Sequence, residues 1–599
     1  MSAPSPAILR GATLKFTIKV AGKALTSTTQ VVSIDTWVSV NRIPRARIVL
    51  YDGSASKKNF PASNLKTFLP GNKIEIAAGY DSKVTPIFSG VIVKQGITIN
   101  QTESSRLVVD ATDQAVQMTL ERKSAVFPKI TDSDLIGKLI SANGLAKSVT
   151  ATTTTYEDIV QYYCTDWDLM LTRAELNGFV ATVDAGKVTV GPPNTQQSPV
   201  LLVEYGTSIL DLDAEMDAAT QYAQSAIKSY SWDESVQQVI NSGPGTVSVT
   251  EQGNVSSAEL AKVFNVSSFP LQTGAMIDKN ALEAWSSAEL LKSKMSKIRG
   301  EVRFQGSALA QTGKTIQLAG LGDRFNGTAF ISGVHHELTG GRWLTTVSLG
   351  LAWPWFTVEA PEVSAPEASG QLPPIQGLQT GKVKQVSNDD TGEFRVLLTL
   401  PLLQNDANGV WARLGGFYAS NKAGAVFYPE IGDEVIVGFM NNDPRYPVIL
   451  GSVYSKKLPP AYPPDDQNNT KAVVTRSKLE INFNDKDIIL QINTPKKQTV
   501  TLDDKAGSIT IKDSNKNTIT LSSSGITLDS GSNINITAKG NITIAAQGNL
   551  KMSAKANATM EGLQISHTAQ TKFAAQGSAS AEVKSSGILT IQGTLVKIN

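Results

Sequence analysis

The chain has 599 residues, and its 55 Lys and Arg against 53 Asp and Glu leave a net charge of +2. That length accommodates several domains with real cores, and charge this evenly balanced argues against a nucleic-acid groove or attraction to an anionic membrane surface. The single cysteine, Cys164, excludes internal disulfides and any cysteine-based metal cluster, and the only histidines are His335, His336 and His567.

The N-terminus, MSAPSPAILRGATLKF, lacks the basic start and continuous apolar core of a signal peptide, and no apolar run approaches membrane-spanning length. The expectation is a protein made in the cytoplasm that leaves it, if at all, by an unusual route. Residues 1–120 alternate as strands in ATLKFTIKV, TQVVSIDTWVSV, RARIVLYD, NKIEIAAGY and SRLVVDATD. Residues 121–225 mix helix and strand. ITDSDLIGKLISANG predicts a helix with Asp/Ser caps and an Asn-Gly stop. YEDIVQYYCTDWDLMLTRAELNGFVATVDAGKVTV predicts a helix of roughly 15–18 residues running into a β-hairpin. Residues 226–355 add a helical piece, ALEAWSSAELLKSKMSKIRGEVRF, and a last strand set ending in GVHHELTGGRWLTTVSLGL.

A linker follows at 356–374, Pro/Ala/Ser-rich from Glu359 to Pro374. Residues 375–455 then read as five short strands, GKVKQV, EFRVLLTL, VWARLG, DEVIVGFM and PVILGSVY. Gly432 and the NNDP turn (Asn441 to Pro444) punctuate the last two, and the spacing suggests a small OB-type barrel. A second Pro-rich linker occupies 456–470, and 471–599 completes the chain.

The last hundred residues repeat every eight. Asn533, Asn541, Asn549 and Asn557 each follow a small residue (Ser532, Gly540, Gly548, Ala556) and precede an apolar-x-apolar pair. The pairs are Ile534/Ile536, Ile542/Ile544, Leu550/Met552 and the weaker Ala558/Met560. Ile519/Leu521 and Ile526/Leu528 keep nearly that rhythm upstream, and Leu589/Ile591 resumes it downstream. Each unit reads as a short strand closed by a Gly-Asn turn, and a fixed short period implies a stacked solenoid. Two modest apolar side chains per unit cannot cover their own face. Three chains wrapped about one axis would bury them and close every strand edge. Roughly a dozen layers at about 4.8 Å each give a shaft of ~55–60 Å. A monomeric solenoid or a disordered Ser/Thr-rich tail is the plainer alternative, and the regular Ile/Leu pairs weigh against disorder. The trimer core is therefore expected at Ile526, Leu528, Ile534, Ile536, Ile542, Ile544, Leu550, Met552, Leu589 and Ile591.

Candidate chemistry is sparse. Gln311–Thr315 (QTGKT) hints at a phosphate loop, but the glycine required five residues before Gly313 is Ala308. His335 and His336 are adjacent on a strand and point to opposite faces, which suits structural roles better than metal binding. His567 stands alone on the shaft and would meet two symmetry mates only if it faced the axis; it is a weak metal candidate, and no cofactor is expected. Asp166 and Asp168, two apart on a helix, do not share a face. They read as N-terminal charge and capping with Trp167 in a core, and Asp433-Glu434 reads as turn chemistry.

The segment YPEIGDEVIVGFMNNDPRYPVILGSVY (Tyr428–Tyr454) resembles the OB-fold signature of the VgrG spike family. Its Pro-x-x-Gly-Asp-Glu-Val turn is Pro429–Val435, its Asn-Asp-Pro hairpin is Asn442–Pro444, and its terminal strand is Pro447–Tyr454. The helix carrying Asp166, Trp167, Asp168, Leu169, Arg173, Glu175 and Gly178 looks like the family's hub helix, and the final GILTIQGTLVKIN is similar to family C-termini. The resemblance implies a mainly β, multidomain chain. It would have a hub with two β-barrel-like domains and helical insertions, an OB-fold barrel, and a C-terminal intertwined trimeric β-helix needle. It implies a homotrimeric, non-enzymatic spike at the tip of a contractile injection system, a type VI secretion system or a phage-tail-like particle.

Expected partners are an inner tube (Hcp-like), baseplate proteins, effector cargo and a PAAR-type tip protein seated on Leu595, Val596 and Ile598. No nucleic acid is expected, and the target membrane would be contacted only mechanically. The particle would be assembled without a signal peptide and ejected to the exterior or into the target cell. Some phage spikes carry a His-x-His iron site at the tip, but no histidine follows His567. Some relatives insert a lysozyme or append a toxin, and the second linker is too short for such an insertion. The competing readings are a trimeric β-rod adhesin or tail-fibre protein, and a spike-borne cell-wall hydrolase.

Overall fold

The computed structural model describes residues 3–6, 12–81, 83–100, 104–361, 363–364, 366–402 and 408–598. It divides into two compact units, Met1–Val453 and Tyr454–Asn599.

In the first unit, a thirteen-stranded sheet runs through both β-rich portions of the hub. The join is the ladder between Val31–Ser39 and Gly327–Thr339, with Trp37 opposite His335 and Asp35 opposite Glu337. The two barrel-like portions anticipated from the sequence thus share one sheet. They keep separate cores. One gathers Ile34, Ile48, Ile76 and Leu107, the other Val302, Phe304, Ile316, Ile331 and Val347. Strict alternation drives this, as in Arg106–Thr112, where every second side chain is buried. Each fully buried aliphatic side chain contributes about 1.5–3 kcal/mol. Close packing also dictates Gly306: a Cβ there would lie 2.0 Å from the buried Trp343 ring.

The helical portion corrects one expectation. YEDIVQYYCT is not helical; Thr155–Thr165 is a strand paired with Arg122–Thr131, and the helix is only α2, Asp166–Leu176. That run is rich in β-branched and aromatic residues (Tyr156, Ile159, Val160, Tyr162 and Tyr163), and pairing won over helix propensity. Before it, α1 (Asp132–Ala142) is capped by the Thr131 hydroxyl rather than by Asp or Ser, and it ends at Asn143 and Gly144, the latter at φ 69°. Helix α3 (Ser257–Phe264) opens with a Ser256/Glu259 capping box. Helix α4 (Lys279–Met295) packs on the three-stranded sheet of Ile227–Asp233, Gln238–Pro244 and Phe269–Thr273.

Buried charges tie these pieces together. Arg173 donates to Asp132 at 2.6 Å, and Lys123, Gln161 and Asn143 all donate to Asp166. On α4, Lys292 donates to Glu175 of α2 at 2.6 Å and lies 3.3 Å from Glu289. Glu175 also accepts from the Thr357 backbone N–H and hydroxyl, each at 2.8 Å, so the start of the linker is fastened to the hub.

The last part of this unit is a closed five-stranded barrel: Gln379–Gln385, Val396–Thr399, Val410–Leu414, Pro447–Ser452 and Glu434–Phe439, in that order around it. Its core is Val383, Val396, Leu398, Ala412, Val435, Val437 and Ile449. The Asp433 carboxylate accepts from the Glu430 N–H at 2.8 Å, next to Gly432 at φ 96°. That geometry is turn chemistry.

In the second unit, seven five-residue strands from Thr470–Val474 to Gly525–Asp529 form an antiparallel meander with each strand paired to the next. Beyond Asp529 no strand is present among the described residues. Instead the backbone bends at 531–532, 539–540, 547–548 and 555–556, and again at 570–571, 578–579, 586–587 and 594–595. The eight-residue period of the sequence is visible as a bend every eight residues, with extended stretches between.

Candidate trimerisation surface

Cross-strand register places two apolar rows on one face of the meander. The first runs Val473, Ile481, Ile492, Val500, Ile511, Ile519 and Leu528. The second runs Phe483, Leu490, Leu502, Ile509, Leu521 and Ile526. Between the rows, the opposite face presents Asn482, Gln491, Thr501, Thr510, Thr520 and Thr527, each opposite the next. Gln491 donates to the Thr501 hydroxyl there at 3.3 Å. Among the described residues the sheet is one layer thick, and no second sheet or helix is packed on the apolar rows. Even mid-sheet side chains such as Leu502 and Ile509 stay 40% exposed. A contiguous apolar face of this size on a single-layer sheet is an association surface.

The expected trimer-core positions fall into two groups. Ile526 and Leu528 sit in the last hairpin, directly opposite Leu521 and Ile519. They belong to the antiparallel meander, not to the eight-residue spiral into which the sequence reading had placed them. Ile534, Ile536, Ile542, Ile544, Leu550, Met552, Leu589 and Ile591 lie in the extended stretches between bends, all exposed in the single chain. Those stretches have no strand partner among the described residues of their own chain, so their peptide groups, like their side chains, are left for solvent or for other copies. Leu595, Val596 and Ile598, expected at the tip, are exposed too.

Sequence reasoning missed most of the meander face. Its signal was present as the triads IxF, LxI, VxL, IxI and IxL in successive strands, but their starts are spaced alternately nine and ten residues apart. A search for period eight passes over them.

The remaining candidates lie elsewhere in the fold. The His335 ring stacks on Trp37 at 5.0 Å and its Nε2 lies 3.1 Å from Asp35, whereas His336 points inward and is buried. His567 stacks on Phe573 at 6.0 Å, and no group of three metal-ligating side chains occurs among the described residues. Thr165 caps α2 reciprocally with Asp168, and Trp167 joins the core beside Met170 and Ala174. The QTGKT segment is a turn with Gly313 at φ 77°. No helix among the described residues is long and apolar enough to cross a membrane.

His336 yields a pH prediction. Burial holds its imidazole down to about 3 from an ordinary 6.5. The unfolded chain therefore binds a proton in a range where the folded chain does not, and stability falls as pH drops from 6.5 toward 3. The expected result is that His336→Gln flattens part of that acid limb in urea melts across pH 3–7 while leaving the behaviour above 6.5 parallel to wild type. An unchanged slope would sink this assignment.

Comparison with known families sets this geometry in context. The closed barrel matches the type VI secretion system/phage-baseplate injector OB domain over residues 379–454, and the meander with the start of the spiral matches the phage baseplate V C-terminal trimerisation domain over 488–551. Barrel and trimerisation domain in that order define a baseplate spike. The chain belongs to the VgrG-type spike family, and its first half matches the Alg8 N-terminal domain over residues 10–340.

Among curated relatives, the Pseudomonas aeruginosa type VI secretion system spike protein VgrG1c is 28% identical over 138 residues, 21% of this chain and 19% of that protein. The Vibrio cholerae actin cross-linking toxin VgrG1 is 31% identical over 81 residues, 14% of this chain and 7% of that protein. The matched region thus spans a fifth or less of these relatives' length. Among solved structures, the 43 kDa tail protein of prophage MuSo2 from Shewanella oneidensis aligns at TM-score 0.42 and 11% identity. That alignment covers 57% of this chain and 98% of that one. An E. coli type VI secretion component described as similar to T4 bacteriophage tail proteins gp27 and gp5 aligns at TM-score 0.35 and 14% identity, over 73% and 99% of the two chains.

Proposed function

We propose that three copies of this chain form the spike of a contractile injection system. The spike connects the inner tube to a PAAR-type tip protein and punctures the target envelope to deliver effectors. The observation that carries this reading is the uncovered double apolar row of the meander, continued by the eight-residue spiral with its apolar pairs exposed in the single chain. Closing three such faces on one axis buries both rows and pairs the free strand edges. The resulting rod unfolds only by separating interlocked chains, which suits a part that transmits force.

In this reading the inward positions of the spiral are Ile534, Ile536, Ile542, Ile544, Leu550, Met552, Leu589 and Ile591, and Leu595, Val596 and Ile598 form the platform for the tip. The role is mechanical and not catalytic, in keeping with a family of structural baseplate proteins. The test is deletion of residues 587–599. The shortened protein is expected to remain trimeric by light scattering but to lose co-purification of the tip protein. Full retention of the tip protein would remove the platform assignment.

A further inference from the structure

One cavity of the hub is not accounted for by assembly. It occupies about 410 Å³ where three parts of the first unit meet: strands of the first core, the hairpin around Asp184–Lys187, and the Ala308–Lys314 loop. That volume lies in the range of small-molecule sites, about 300–1,000 Å³. Its apolar lining includes Val38, Pro44, Phe88 and Val334.

Its inner wall carries an unused donor. Trp343 Nε1, which can only donate, lies 3.3 Å from His336 Nδ1. Nδ1 is therefore an acceptor, and the proton of the neutral imidazole sits on Nε2. His336 is 3% exposed and lines the cavity, yet Nε2 has no hydrogen-bond partner among the described residues. Directly across the ladder, the buried Thr36 hydroxyl also lacks a partner. A buried hydroxyl left unmatched, as Thr36 is, costs stability and normally answers to a ligand or water.

The cavity lining carries two carboxylates, Asp113 and Asp184, and two lysines, Lys187 and Lys314. Asp113 is occupied by the Ala115 and Gly186 N–H groups at 2.8 and 2.9 Å, and its own burial raises its pKa. Asp184 stands opposite Lys187 in the hairpin register and offsets it. Lys314 is left without an ion-pair partner among the described residues.

We infer that this cavity binds a small organic monocarboxylate, with its carboxylate at Lys314, its apolar body against Val38, Pro44 and Phe88, and the His336 Nε2–H directed at the bound molecule. The QTGKT turn thus supplies a cation to a carboxylate site.

The test is calorimetric titration of the full-length protein with benzoate, using benzamide as the neutral control. Benzoate is expected to bind saturably in the millimolar range or tighter, and benzamide about tenfold or more weakly. Lys314→Gln, an exposed substitution, is expected to weaken benzoate about tenfold. Thr312→Trp, at the cavity lining, is expected to abolish binding in a protein whose melting curve is otherwise unchanged. No saturable binding, equal binding of benzamide, or full binding by both variants would each overturn the inference and leave a water-filled cavity.

Discussion

Leu502→Asp combined with Ile509→Asp is expected to give a chain that no longer trimerises. The two side chains lie directly opposite each other in adjacent strands, in the middle of the second apolar row. In a closed trimer the double variant would bring two carboxylates per chain, from three chains, into one apolar layer. Each buried leucine or isoleucine lost removes about 2–5 kcal/mol, and an unpaired buried carboxylate adds several more. Native mass spectrometry should then report the 63.8 kDa single chain, or aggregates, in place of a trimer.

The matching control is Thr501→Asp. That position lies next to Leu502, between the two apolar rows on the opposite, polar face, and the trimer is expected to survive it. Because the hub has cores of its own, its near-ultraviolet spectrum should be unchanged in both. A double variant that remained trimeric with wild-type melting would show that the apolar face does not point at the axis.

How much of this surface could be read from the sequence depended on where its hydrogen bonds go. The OB barrel was legible to the strand because its alternation, its Gly432 turn and its core all lie within some 80 residues and close on themselves. The eight-residue spiral was legible as a period, and its bends recur through residues 594–595, well past the last regular asparagine. The transition near Asp529 was not legible. Ile519/Leu521 and Ile526/Leu528 look like two further turns of the spiral, but the Ser523–Ser524 turn folds one pair back onto the other.

In the hub, local patterns identified most strands but not their partners. The ladder joining Val31–Ser39 to Gly327–Thr339 links residues some 300 positions apart, a pairing that periodicity cannot announce. Misreading YEDIVQYYCT as helix had the same root, since its partner strand, Arg122–Thr131, precedes it by an intervening helix. The cavity beside His336 could not have been found from spacing alone. Its lining comes from six separated stretches of chain.

Lys292→Met should be the most destabilising single change in the hub. Among the described residues Lys292 is the only cation paired with both Glu175 and Glu289, and all three side chains are nearly buried. Methionine preserves the volume against Trp355, over which the ammonium sits at 5.5 Å, so the effect is electrostatic and not a cavity. Two carboxylates would then share a low-dielectric site with no counter-charge, and removing one partner of such a buried group costs about 3–5 kcal/mol.

The pH dependence gives the mechanism a signature. Burial already raises the Glu289 pKa above its ordinary 4.5, so its ionised form works against folding, and that cost is relieved as pH falls through the raised value. The stability difference between Lys292→Met and wild type should therefore be largest near neutrality and shrink on acidification, before the unfolded chain's own glutamates titrate near 4.5. Adding Glu289→Gln should recover part of the loss at pH 7 by deleting one of the two unpaired charges. Because Glu175 also holds the Thr357 N–H and hydroxyl, the same variant should loosen the start of the linker and speed hydrogen exchange at Thr357. A difference independent of pH would point instead to lost packing around the lysine stem.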